Sequence, residues 1–124
     1  NKEYFTQEME NGSIQISEDV VASVTGMAVL EVEGVCGLSS TIGTDIAEML
    51  GMKTLSKGVR LSSTEAGTLR IDCDVVAKFG QNIFELAKNV QENVKSSVES
   101  VTGLTVGEVN VTVCGIALPK ETKK

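Results

Sequence analysis

The sequence predicts an α+β domain, a two-layer sandwich in which two main helices cover one face of a mostly antiparallel sheet. Short runs that alternate apolar and polar residues at period two are typical of half-buried strands. Two longer runs repeat their apolar residues at helical spacing. The elements follow one another as strand, helix, strand, strand, helix, strand, and 124 residues are enough for one such domain.

The first predicted strand leads directly into the first helix. Residues 1–11 are polar and read as a flexible leader that ends at a turn. Residues 13–17 alternate in polarity and predict a short strand. Ser17 is a suitable N-cap, followed by two acidic residues that the helix dipole favours. We therefore expect a helix at residues 18–33, ended by Gly34.

The next stretch, residues 34–57, is the least regular part of the sequence and is interrupted by several glycines. A connection of this length inside a compact domain is usually functional, partly helical or mobile. For residues 36–57 the sequence leaves three possibilities open, which are a packed crossover, a loop that binds a partner, and disorder.

The second half gives clearer patterns. Residues 59–63 and the alternating run Leu69–Lys78 predict a hairpin, with Gly67 in its turn. A helix follows at residues 82–102. In the last strand, the alternation slips by one residue at Gly107, which indicates a β-bulge. The predicted domain covers residues 12–118, and Pro119 begins a basic tail, residues 119–124.

Charge and composition exclude several classes of function. The net charge of −6 argues against binding to nucleic acids or directly to anionic membranes. No apolar run approaches the ~20 residues that span a bilayer, so we expect no direct membrane insertion. The absence of histidine excludes histidine-based nucleophile systems and histidine metal sites.

A few residues could carry chemistry, and each has a structural explanation that we prefer. Asp72 and Asp74 share one strand face and could act as an acid–base pair or hold a cation, but Arg70 lies on the same face, as on an ordinary solvated sheet. Cys73 and Cys114 lie in strands and read as buried thiols, whereas exposure is expected for Cys36.

Methionines and glycines give no stronger signal. Met27, Met49 and Met52 could line an adaptable groove, but core packing is the preferred interpretation. The two glycines of residues 103–107 follow a helix and enter a strand, the reverse of a phosphate-binding loop. The sequence therefore predicts no catalytic, cofactor-binding or metal-binding residue, and no cofactor.

Several segments of the sequence are distinctive as motifs. They are GSIQISEDVV at residues 12–21, EVEGV at residues 31–35, GV at residues 58–59, QENVKSSVESVTGL at residues 91–104 and VNVTV at residues 109–113. Together they resemble the alkaline shock protein family, the envelope stress response proteins of Gram-positive bacteria. The resemblance covers roughly residues 11–116, and its most telling part is the run from the second helix into the last strand.

This resemblance implies a cytoplasmic, non-enzymatic protein that self-associates and reaches the membrane through a separate small membrane-anchoring protein. Some relatives are linked to control of fatty-acid synthesis, so the alternative is a regulatory module acting on those enzymes. The family offers no catalytic residues to carry over. Two further hypotheses stay open at this point, a ligand-binding or enzymatic role for Asp72, Asp74 or Cys36 and, more weakly, RNA binding.

Overall fold

A computed structural model describes residues 4–38 and 58–118. It confirms the α+β fold class, with two helices packed against β-structure. In chain order, the elements are β1 (Tyr4–Met9), β2 (Gly12–Ser17), α1 (Glu18–Leu30), β3 (Val35–Leu38), β4 (Val59–Ser63), β5 (Leu69–Lys78), α2 (Ile83–Thr102) and β6 (Val106–Ala117).

Strand β5 is the centre of the main sheet. On one side it pairs antiparallel with β4 over Leu69–Cys73 and with β3 over Val75–Ala77, so that β4 and β3 lie end to end. On the other side it pairs with β6 over its whole length. This last pairing is parallel because helix α2 intervenes as a crossover and returns the chain to the same end of the sheet.

The core lies between the sheet and the two helices. Alternate residues of β5 from Leu69 to Ala77 are buried, as the period of a strand requires. Helix α2 buries a stripe that recurs every four residues, namely Leu86, Val90, Val94 and Val98. Burying each such side chain stabilises the fold by about 1.5–3 kcal/mol. The valine-rich helices are thus held by packing.

The ends of both helices follow the sequence signals. The hydroxyl of Ser17 accepts a hydrogen bond from the amide of Val20 at 3.2 Å, and Asn82 caps α2 in the same way. Helix α1 ends at Leu30 and not at residue 33. The side-chain amide of Asn93, on α2, donates to the carbonyl of Ala28 at 2.7 Å and so satisfies a carbonyl left unpaired by the end of α1.

The N-terminal strand and β3 were not predicted. Residues assigned to a leader contain β1, which pairs with β2 in a separate two-stranded sheet. Phe5 and Ile16 pack against the core from this hairpin. Strand β3 has four residues and contains a register shift, so it is too short to present a period-two pattern. Most of the irregular stretch, residues 39–57, and the basic tail, residues 119–124, lie outside the described residues.

The predicted bulge in β6 is confirmed. The pairing with β5 shifts between Val106 and Glu108, so that Gly107 is the extra residue. A side chain at this position would clash with Thr68, because a Cβ built on Gly107 would overlap the Thr68 hydroxyl. The glycine is therefore required by the close approach of the turn between β4 and β5.

Gly34 combines a left-handed backbone conformation with a crowded environment. Its φ is +97°, and an added Cβ would lie 2.8 Å from the buried side chain of Leu86. Its carbonyl accepts the amide of Lys78 at 2.8 Å. Gly34→Ala should lower the free energy of unfolding by about 2–4 kcal/mol in urea denaturation.

The matched control is Gly103→Ala. Gly103 also has a positive φ, +77°, but a Cβ there meets no atom within 4 Å. Gly103→Ala should lower the free energy of unfolding only through conformational strain, by about 1–2 kcal/mol. Equal losses for the two variants would contradict the steric role of Gly34.

Candidate interaction surfaces

The sheet face that points away from the helices carries a set of paired charges. Arg60 of β4 binds the carboxylate of Asp74 through both terminal nitrogens, at 2.9 and 3.1 Å. Arg70 of β5 pairs with Glu108 of β6 at 3.1 Å. The side-chain amide of Asn110 donates to Asp72 at 2.9 Å. We call this surface the open sheet face.

These contacts bear on the two interpretations of the aspartates. The hydrogen bonds from Arg60 hold the pKa of Asp74 below its ordinary value of 3.8, and Asp74 in turn raises the pKa of Arg60. A general acid needs the opposite shift. Within the described residues, no group of three or more acidic or cysteine side chains could hold a metal ion. The geometry therefore favours a structural role for Asp72 and Asp74.

The three cysteines occupy different environments. Cys73 is fully buried, and this burial raises its pKa to about 12, so its thiol is unreactive. Cys36 is exposed, as expected. The prediction that Cys114 is buried was wrong, since Cys114 is exposed. It continues the outward series of Asn110 and Thr112 on the open sheet face, up to a second register shift of β6 between Val113 and Gly115.

The helix layer carries an apolar depression between α1 and α2. It has a volume of about 220 Å³ and is lined by Val24, Met27, Ala28, Glu31, Ser97 and Val101. Met27 is 52% exposed and Val101 is 66% exposed. The core position preferred for Met27 was therefore wrong, and the groove interpretation applies to it. Met49 and Met52 lie outside the described residues.

The same groove continues towards the end of α1 and becomes acidic. A second depression, of about 440 Å³, is lined by Glu31, Val32, Glu33, Asn89, Glu92 and Asn93. Glu31 lines both depressions, so they adjoin one another between the two helices. We call the two together the interhelical groove. It offers apolar side chains at one end and three carboxylates at the other.

Sequence reasoning missed a third feature, at the outer edge of β6. Three side chains on one side of α2 bond to the backbone of this strand. Glu99 accepts the amide of Val106 at 2.8 Å, and Lys95 donates to the carbonyl of Val106 at 3.2 Å. Gln91 donates to the carbonyl of Val109 at 2.9 Å. Their four-residue spacing was visible in the sequence, but it is equally typical of a solvated helix face.

The described residues thus define a class of protein, an α+β domain whose polar sheet face is internally paired and whose helix layer presents a partly apolar groove. A family model for the alkaline shock protein 23 family, with a cell envelope-related function, matches residues 6–118. The chain belongs to this family.

Similar proteins occur in Gram-positive bacteria. The chain is 38% identical over 114 residues to the uncharacterized protein Spy1614 of Streptococcus pyogenes, covering 90% of this chain and 93% of the relative. It is 36% identical over 107 residues to the uncharacterized protein YloU of Bacillus subtilis, covering 85% of this chain and 88% of the relative. It is 31% identical over 105 residues to the uncharacterized protein YqhY of the same species, covering 85% and 77%.

Among solved structures, a MamM CTD variant aligns with 82% of this chain and 95% of its own, at 15% identity and a TM-score of 0.47. A second MamM CTD variant aligns at 14% identity with the same TM-score. Within residues 4–38 and 58–118, neither helix has the length and apolar character needed to cross a membrane.

The pair of Arg60 and Asp74 generates a prediction about pH. Because the folded protein lowers the pKa of Asp74, the ionised carboxylate adds stability above the unfolded pKa, and this contribution is lost as the pH falls through the lower, folded pKa. Asp74→Asn should reduce the free energy of unfolding at pH 7 by no more than about 1 kcal/mol, since the pair is exposed.

This difference between variant and wild type should shrink below pH 3.8, the ordinary pKa of the group. Urea titrations at a series of pH values measure it. Glu65→Gln, in the exposed turn between β4 and β5, provides the charge-matched control and should not change the stability measurably. A loss for Asp74→Asn that is constant down to pH 2 would contradict the ion pair.

Proposed function

We propose that this protein is a non-enzymatic interaction module of the bacterial cell envelope, which self-associates and is recruited to the membrane by a partner protein. The family description supports the envelope connection. The observation that carries the proposal is the interhelical groove, which exposes Met27 and Val101 between two helices. Exposed apolar side chains gathered in a groove are typical of a site that binds another protein.

The charge of the chain favours recruitment by a partner protein over direct binding to the lipid surface. With a net charge of −6, the chain is repelled by anionic lipids. A membrane protein, in contrast, carries an excess of lysine and arginine in the short cytoplasmic segments beside its spanning helix. Such a segment has apolar and basic side chains next to one another, and it matches the apolar and acidic ends of the interhelical groove.

The layout of the groove also suits a bound peptide. Its two depressions lie along antiparallel helices, from Val101 and Met27 at one end to Asn89 and Glu33 at the other. An amphipathic helix can lay its apolar face in a groove of this kind, and the acidic residues then fix its direction by pairing with basic ones. The open sheet face is less suited to this role, because its charged groups already bind one another.

A double charge reversal at the acidic end tests the recruitment. Glu33→Lys with Glu92→Lys should release the protein from the membrane fraction of its native host, because it replaces attraction to a basic segment with repulsion. We expect the membrane-bound share to fall at least tenfold when measured by quantitative blotting. Met27→Glu, at the apolar end, should have the same effect.

The control is Glu65→Lys together with Glu8→Lys, two exposed sites that do not line the groove and that make the same change in net charge. This control should remain in the membrane fraction. If both double variants were released equally, net charge and not the groove would govern the distribution. If neither were released, or if the wild-type protein were absent from the membrane fraction, the proposed recruitment would be wrong.

A further inference from the structure

The outer edge of β6 is protected along only part of its length. Glu99, Lys95 and Gln91 bond to the backbone at Val106 and Val109. The amide and carbonyl of one strand residue point to the same side, and successive residues alternate. Val111 and Val113 therefore share the outward direction of Val109. In the described part of the chain, no hydrogen bond reaches the outward groups of these two residues.

The row of polar side chains on α2 ends where the unprotected edge begins. Phe84 precedes Gln91 by seven residues, so it lies on the same side of α2, about 10.5 Å closer to the N-terminus. Three to four residues of β6 cover this distance, which places Phe84 level with Val113. Phe84 is 71% exposed, and the ammonium group of Lys88 lies 5.9 Å from its ring centroid.

Other apolar side chains near this edge are also uncovered. Ile116 is 50% exposed and Leu118 is 71% exposed, and both belong to the end of β6. Phe79, whose amide bonds to the carbonyl of Ala117, is 61% exposed. With Phe84, they expose roughly 400–500 Å² of apolar surface. A standard interface buries about 800 Å² on each partner, and the strand backbone with its flanking side chains can supply the remainder.

The edge also lacks the features that normally prevent strand pairing. Natural edge strands carry lysine, proline or inward-pointing charges. Residues 109–118 of this chain contain no charged residue and no proline. An uncharged stretch is what two copies with a net charge of −6 each need in order to approach one another.

We propose that residues 111–113 of β6 form the self-association surface, by pairing antiparallel with the same strand of a second copy across a two-fold axis at Thr112. Val111 then faces Val113 of the second copy, and the symmetry repeats this pair. Each pair exchanges two N–H···O bonds, and Thr112 lies opposite its own copy on the open sheet face. The inference rests on the proposed function, since it names the surface by which the module self-associates.

The two-fold axis makes a specific prediction about cross-linking. The two Thr112 residues form a non-hydrogen-bonded pair with Cα atoms about 4.5 Å apart, within the range of a disulfide. Thr112→Cys, with Cys36→Ser and Cys114→Ser, should form a dimer on mild oxidation, seen on a non-reducing gel. The buried Cys73 remains reduced.

The chain itself provides the matched control for this experiment. Cys114 lies on the same face and is exposed, but it is two residues from the axis, so its copy is displaced by four residues, about 13 Å. A Cys36→Ser variant that keeps Cys114 and Thr112 should therefore cross-link at most a tenth as fast. Cross-linking through Cys114 in preference to residue 112 would overturn the proposed pairing.

A second variant tests the backbone contacts directly. Val113→Pro removes an outward amide and leaves the β5–β6 ladder intact, a position where an edge strand tolerates proline. We expect the dimerisation constant, measured by analytical ultracentrifugation, to weaken at least tenfold, with an unchanged circular dichroism spectrum. Ile116→Lys, at a half-exposed site, should have the same effect, because the contact between copies would have to bury an unpaired charge, and it serves if the proline variant fails to fold.

The outcomes separate this inference from the proposed function. If the wild-type chain assembles but residue 112 does not cross-link and both variants assemble normally, the β6 surface is wrong and self-association stands. If the wild-type chain stays monomeric at millimolar concentration, self-association itself fails, and the inference fails with it.

Discussion

The fold depends on one constraint, namely that β5 is hydrogen-bonded along both of its edges and buried on one of its faces. The amides of its even-numbered residues point towards β3 and β4, as the bonds from Asp74 and Lys78 illustrate. The amides of its odd-numbered residues point towards β6. A one-residue shift of β5 would move every buried residue to the polar face. All other elements of the main sheet take their register from this strand.

The two faces of β5 lead to different roles for the surfaces of the molecule. The buried face holds the helices, and these helices leave the interhelical groove between them. On the opposite face, the arginine and carboxylate groups bind one another, so a charged partner would gain little binding energy there. The outer edge of β6 is closed by α2 as far as Val109, and within the described residues no hydrogen bond reaches its outward groups at Val111 and Val113. Groove and edge lie in different parts of the fold, so the proposed membrane partner and the proposed second copy would not compete for one surface.

The sequence predicted those parts that depend on local patterns. The cap at Ser17 and the bulge at Gly107 were found because each is marked by a local pattern, a serine followed by two acidic residues and a glycine at which the strand alternation slips. Strand β1 and the short β3 were missed, since their pairing partners and not their own patterns define them. The exposure of Cys114 was also missed, because a free cysteine in a strand is usually buried, whereas Cys114 follows Asn110 and Thr112 on the open sheet face.

The candidate surfaces were harder to predict than the fold. The polar positions of α2 looked like an ordinary solvated face, and only the three-dimensional arrangement places Glu99, Lys95 and Gln91 on the backbone of β6. Met27 has the spacing of a core residue, and only the antiparallel placement of α2 turns it into the wall of a groove. The resemblance to the alkaline shock protein family could be recognised from the sequence motifs alone, and the family model confirms it.

Amide hydrogen exchange as a function of protein concentration tests the central claim most directly. The amide of Val106 bonds to Glu99 within one molecule, so its exchange rate should not depend on concentration. The outward amides of Val111 and Val113 should exchange fast in dilute solution and become protected as the concentration rises. If these two amides exchange at the same rate at every concentration in a chain that assembles, the edge of β6 is not where copies meet, and the account of this surface is contradicted.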